Sequence, residues 1–167
     1  YIVASVFLCS HDGEAVSGLY IITWDRQSGD QSSIKLTDTT PQNYVMAMNK
    51  GYIRLIIQNS SRFEVPWNID RILEKGQWLI IVKITDFMEV IQHSLFNSHY
   101  DCMGMLTFCS QGQYLVTGGE RYGPLIYEDL NFNSDRDEVE FTCIFEDHDF
   151  GEVFPEMVAG NKDVILM

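Results

Sequence analysis

The residues best suited to chemistry lie at both ends of the polarity scale. Glu146-Asp147-His148-Asp149, with Glu152 beyond, offers carboxylate oxygens and an imidazole, the donors of a divalent-cation site or of a hydrolytic pair. A charged surface turn explains the same run more cheaply, and that reading is adopted. His93, His99, Cys102 and Cys109 are zinc-ligand types, but their spacing is unlike a zinc knuckle, and on one strand Cys102 and Cys109 face opposite ways. No metal and no cofactor is expected. The chain has no Gly-rich phosphate loop, no nucleophile elbow and no Cys/His pair with a third member, so it is not read as an enzyme. A contact surface is the better-supported chemistry. Phe63 and Phe87 lie beside loops and Tyr100 lies in a connection between strands, all placed to touch a planar ligand. Lys83, Thr85 and Phe87 share one face of a strand, while Val82, Ile84 and Asp86 share the other. Arg54, Arg62 and Arg121 are candidates to meet phosphates.

Composition sets the frame for these residues. With 167 residues, 46% hydrophobic and 13% aromatic, the chain can bury a core, which excludes wholesale disorder. No apolar run approaches the roughly 18 residues of a spanning helix, so no membrane partner is expected. Tyr1 is read as the start of a processed chain or of a segment. Four cysteines make no disulfide scaffold, and Cys9, Cys109 and Cys143 lie in apolar runs, pointing to a reducing, intracellular compartment. The net charge of −13 is unevenly spread. Residues 1–127 carry 12 Asp/Glu against 9 Lys/Arg, and residues 128–167 carry 12 against 2, so −10 of the −13 belongs to the last quarter. That quarter, 128–167, is a distinct acidic extension.

The elements that must position the candidate residues are mostly strands. Strands are expected at Tyr1 to Cys9, Gly18 to Asp25, Tyr52 to Gln58, Trp78 to Phe87 and Cys102 to Cys109, with a short one at Ile34 to Thr37. Others fit Tyr114 to Thr117, Leu125 to Tyr127 and Val139 to Phe145. Asn68 to Gly76 has the marks of a short helix: Asn68 as N-cap, Ile69, Ile72 and Leu73 on one face, Gly76 as the stop. Tyr44 to Met48 reads as a helical turn or an irregular loop, and Met88 to His99 as a helix or a long loop. No period of about 20 to 50 residues signals a repeat array. Gly112 to Leu130 alone resembles one propeller blade, which is too little for a propeller.

Three strands, a short helix and two strands in residues 1–127 are the layout of an OB-fold, a five-stranded Greek-key barrel in an all-β class. The phrases YIVASVFLC, GLYIITWD, GYIRLIIQNSS, ILEKGQWLIIVKITDF, LTFCSQG and GGERYGPLIYED, in that order, resemble the second OB-fold of the protection-of-telomeres (Pot) proteins. The resemblance implies a single-stranded telomeric DNA binder, acting in the nucleus at chromosome ends and in telomere length regulation. It carries the groove positions onto Trp24 and Asp25, onto Gln58 and Asn59, onto Lys83, Thr85 and Phe87, and onto Gln111. Phe63, Tyr100 and Arg121 complete the expected nucleic-acid contacts. Two departures stand out: Gln58 replaces an aromatic platform worth roughly 1–3 kcal/mol per stacked base, and Lys83 is the sole basic residue of its strand.

The acidic extension mixes charge with apolar pieces, including Phe141, Phe145 and Phe154, and is expected to dock other telomere-complex proteins. The alternative function is an OB-fold interaction module of a telomere or genome-maintenance complex that binds protein and not DNA. An acidic mimic of nucleic acid is the third class, and the confinement of charge to one end argues against it.

Overall fold

The computed structural model describes residues 2–8, 18–70, 72–97, 106–119, 122–133, 138–146, 159–160 and 165–166. Tyr100, Arg121 and Phe154 lie outside them. The described chain is all-β. Its strands are β1 (Ile2–Leu8), β2 (Gly18–Trp24), β3 (Gln31–Thr37), β4 (Asn43–Asn49), β5 (Tyr52–Asn59), β6 (Phe63–Glu64), β7 (Ile72–Leu73), β8 (Gly76–Ile84), β9 (Met88–Asn97), β10 (Leu106–Cys109), β11 (Tyr114–Gly119), β12 (Tyr122–Asp129), β13 (Phe141–Glu146), β14 (Ala159–Gly160) and β15 (Ile165–Leu166).

These strands pair with their sequence neighbours. The first sheet is β1-β2-β3, the second β4-β5-β8-β9 and the third β10-β11-β12-β13, every pairing antiparallel. Two small hairpins, β6-β7 and β14-β15, stand apart. The five strands expected in a single Greek-key barrel are thus distributed over three meander sheets, and the described strands close no barrel. The residue boundary expected at 127/128 falls inside β12, and Phe141–Glu146 is the outer strand of the third sheet.

The sheets stack face to face, as alternation within the second sheet makes plain. Ile53, Leu55 and Ile57 of β5, with Ile80 and Val82 of β8, join Leu19, Ile21 and Leu36 of the first sheet in one core. The opposite parity, Ile56, Leu79 and Ile81, joins Leu106 and Leu115 of the third sheet in another. β5 and β8 are therefore apolar on both faces, as strands buried between two layers must be. Each fully buried side chain of this size contributes about 1.5–3 kcal/mol. The layers also meet at corresponding strands: β4 lies against β10, both first in their sheets, and β3 against β9, both last.

The sequence repeats with the sheets. Tyr52-Ile53 opens β5 and Tyr114-Leu115 opens β11, the second strands of their sheets; an Asp closes the next strand or follows it within two residues in each of the three sheets, Asp129 ending β12, Asp25 directly after β2 and Asp86 two residues after β8. Insertions of unequal length, among them the β6-β7 hairpin, break the spacing. That is why no fixed period was visible.

Three local expectations are corrected. Asn68 to Gly76 is no helix. Ile69 is 96% exposed and Ile72 half exposed while Leu73 is buried, so no single apolar face forms. The segment is too short to hold a helix without one, and it folds back as a hairpin with Phe63 opposite Leu73. Tyr44 to Met48 lies within β4, held over seven pairs to β5. Met88 to His99 is largely β9. Its helical look comes from a register shift at Ile81/Val82, which leaves Ile91 unmatched and turns both Ile91 and Gln92 toward the third-sheet side, breaking the alternation.

Candidate functional site

Asp25, Thr85 and Phe87 are brought together. The turn after β2 and the turn after β8 border a cleft of about 210 Å³ on the first-sheet side of β8, also lined by Thr23, Asp30 and Asp86. Thr85 N–H and its hydroxyl both donate to the Phe87 carbonyl, at 2.9 and 3.2 Å, closing the tight turn that leaves the Phe87 ring 62% exposed. Asp25 Oδ1 accepts from the amides of Gln27 and Ser28 at 2.7 and 3.3 Å. Those two backbone donors hold its carboxyl below the usual range. The oxygen assigned to base edges is thus already engaged in its own turn. The lining holds three carboxylates and neither Lys nor Arg.

The other expected contacts do not join this cleft. β8 ends at Ile84, so the alternation that put Lys83 with Thr85 and Phe87 stops there. Lys83 sits on the opposite face, its Nζ 5.4 Å from the centre of the Tyr52 ring. Gln58 is buried at the far end of β5, opposite Gln77, with its Oε1 unpartnered. Asn59 accepts the Ser60 amide through Oδ1 at 3.0 Å. Phe63, 2% exposed, belongs to the core between the first two sheets. Trp24 ends β2 half-buried, on the face of that strand turned away from Leu19 and Ile21. Gln111 is exposed with φ 59° in a single 3₁₀ turn, Ser110–Gly112, packed on β4 from the third-sheet side. One continuous groove through all these residues is not formed. His93 rests edge-on to Trp67, ring centres 5.1 Å apart, and burial raises the pKa of the Cys109 thiol.

A buried ion pair that sequence reasoning missed joins the second and third sheets. Arg54 Nη2 donates to Asp129 Oδ2 at 3.0 Å, with the two side chains 6% and 0% exposed. Asp129 Oδ1 accepts the amides of Asn131 and Glu140, and the Phe132 ring covers the guanidinium at 5.1 Å. Gly112, at φ +95°, lets the 3₁₀ turn press on this pair; a Cβ there would meet Arg54 Cδ at 2.9 Å. The recurring terminal Asp was the available signal, since Asp25 and Asp129 both cap the turns that follow their strands.

The third sheet supplies a different kind of surface. Phe141 packs inward, 6.2 Å from the rings of both Phe96 and Phe108. Phe145 and Ile144 point outward, 42% and 51% exposed. Ile144 stands at a bulge between Tyr127 and Ile126. Glu138, Glu140 and Glu146 of the same segment are exposed as well. Among the described residues β13 pairs with β12 alone. Comparison with protein-family models, with curated proteins and with solved structures finds no match for this chain.

Proposed function

We propose that the chain is a protein-docking scaffold: a run of propeller-like meander sheets whose outer strand β13 receives a basic, apolar segment of a partner protein. The observation that carries this reading is the pair of exposed apolar side chains, Ile144 and Phe145, set among exposed glutamates. Apolar anchors rimmed by charge are the usual anatomy of a contact surface. The −10 of residues 128–167 selects a partner rich in Lys and Arg. The stacking of first strand on first strand and last on last supports the blade-like reading of the sheets.

The test uses a labelled peptide alternating Lys with Val, and its Glu-for-Lys counterpart, in anisotropy titrations. The Lys peptide is expected to bind, to lose about tenfold in affinity on Phe145→Ser with Ile144→Ser, and to weaken with salt. Equal binding by the double variant would sink the β13 assignment.

A second reading, of the Pot type, has its own observation: Asp25, Thr85 and Phe87 share one cleft. By that reading the chain binds single-stranded telomeric DNA in the nucleus, stacking a base on Phe87 and reading its edge with carboxylates. The three carboxylates repel phosphates, so affinity would rest on the base alone.

A further inference from the structure

We propose that Gln92 is a positioning residue of the β13 docking surface: its carboxamide stands where a neighbouring strand would and holds the main chain that leads into β13. Its role rests on the docking reading and supplies the device that fixes that surface in place. Gln92 belongs to β9, the outermost strand of the second sheet, and not to the sheet that carries the surface. Strict alternation from Val90, which packs into the core between the first two sheets, would turn Gln92 to that same side. The register shift at Ile81/Val82 leaves Ile91 as the extra residue and sends Gln92 toward the third sheet instead. Bulges of this kind bend a strand and re-aim a side chain. Here the re-aimed side chain has a specific target.

That target is the backbone of Val139, two residues before β13. Gln92 Nε2 donates to the Val139 carbonyl and Gln92 Oε1 accepts the Val139 amide, both at 2.9 Å. Engaging both main-chain groups of one residue is what a paired antiparallel strand does. Glu140 is held from the opposite edge: its amide donates to Asp129 Oδ1 at 3.3 Å and its carbonyl accepts the Leu130 amide at 2.9 Å. Val139 and Glu140 thus continue the line of β13 backwards, with Asp129 and Leu130 on one side and Gln92 on the other. The Val139 side chain, 7% exposed, is buried between the second and third sheets. Further along, β13 pairs among the described residues with β12 alone, and the bulge at Ile144 breaks that register. A strand held on one edge opens more readily than one held on two, and a partner binds more tightly to a surface that is already ordered. The Gln92 clamp orders the entry to the strand that presents Ile144 and Phe145.

Anisotropy titration of the labelled Lys/Val peptide against the whole chain and two variants tests this, with amide hydrogen exchange of the free proteins alongside. Gln92→Met keeps the side-chain length and loses both bonds, while Gln92→Asn keeps the amide and shortens its reach. In both, the amides of Val139 and of Phe141–Glu146 are expected to exchange about tenfold or more faster, and peptide affinity is expected to fall by about threefold to tenfold. Ile21→Val, in the core between the first two sheets, controls for lost stability: it should lower the thermal midpoint and leave the affinity unchanged. Unchanged affinity in both Gln92 variants would overturn the positioning role and leave the docking reading standing. So would an equal loss of affinity in Ile21→Val, which would make it an effect of overall stability. An unsubstituted chain that binds no Lys/Val peptide would overturn the docking reading itself, and this role with it, before any variant is compared.

Discussion

Arg54 shows how a residue legible as a phosphate-binding candidate becomes something else in three dimensions. Its guanidinium is buried against Asp129, and removing one member of such a pair leaves an uncompensated charge in the interior. Asp129→Asn keeps the turn-capping oxygen and should still cost about 3–5 kcal/mol in denaturant unfolding. Arg54→Met with Asp129→Asn should recover part of that loss, because no charge is then left behind. Phe63 follows the same logic. As a base-stacking residue its loss would weaken DNA binding and spare the fold; as a core residue, Phe63→Ala should destabilise by about 3–5 kcal/mol. Asp25 makes a pH prediction. Its folded pKa is depressed by the Gln27 and Ser28 amides, so its carboxylate stabilises the turn above the unfolded value of about 3.9 and that contribution fades as pH falls through the lower, folded value. A carboxyl-carbon NMR titration should place its midpoint below the ordinary Asp range, and Asp25→Asn should remove the effect.

At the scale of elements, the strands were readable wherever a β-branched run was bounded by turn residues. Gly18 to Asp25, Tyr52 to Gln58 and Trp78 to Phe87 correspond to β2, β5 and β8 with small shifts at the ends. Two kinds of signal misled. Asn68 to Gly76 carries a cap and a stop without enough length or a consistent apolar face between them, and the hairpin formed with Phe63 and Glu64 is a contact no local pattern announces. β9 fails for another reason: its bulge breaks the period of two that identifies a strand. Pairing partners were the least legible feature. Strands buried on both faces, such as β5 and β8, read alike whether they belong to a barrel or to the middle of a stack, so grouping five of them into one barrel followed from order alone. The candidate site fared accordingly. Asp25, Thr85 and Phe87 meet because each lies in a turn at the same end of strands in two stacked sheets, whereas Lys83 and Gln58 are separated from them by strand parity and strand length.

For the whole molecule, the uneven charge and the stacked sheets belong to one account. The described start of the acidic quarter is built into the third sheet, since Glu128 and Asp129 complete β12 and Phe141 fills the space between the second and third sheets. Truncation after Tyr127 should therefore abolish cooperative thermal unfolding followed by circular dichroism. A truncated chain that melts cooperatively near the intact chain's midpoint would contradict this. Ile144 and Phe145, exposed on β13 together with glutamates of the same segment, form the surface assigned to a partner. The central claim is that this surface, and not the carboxylate-lined cleft, is where the chain binds. Backbone amide shift mapping on the isotopically labelled chain tests it most directly, with the Lys/Val peptide and with a single-stranded telomeric oligonucleotide titrated separately. The account predicts that the peptide moves the amides of Phe141–Glu146 and that the oligonucleotide moves none. Saturable, sequence-dependent shifts at Asp25, Thr85 and Phe87 with the oligonucleotide, and none at β13 with the peptide, would contradict it.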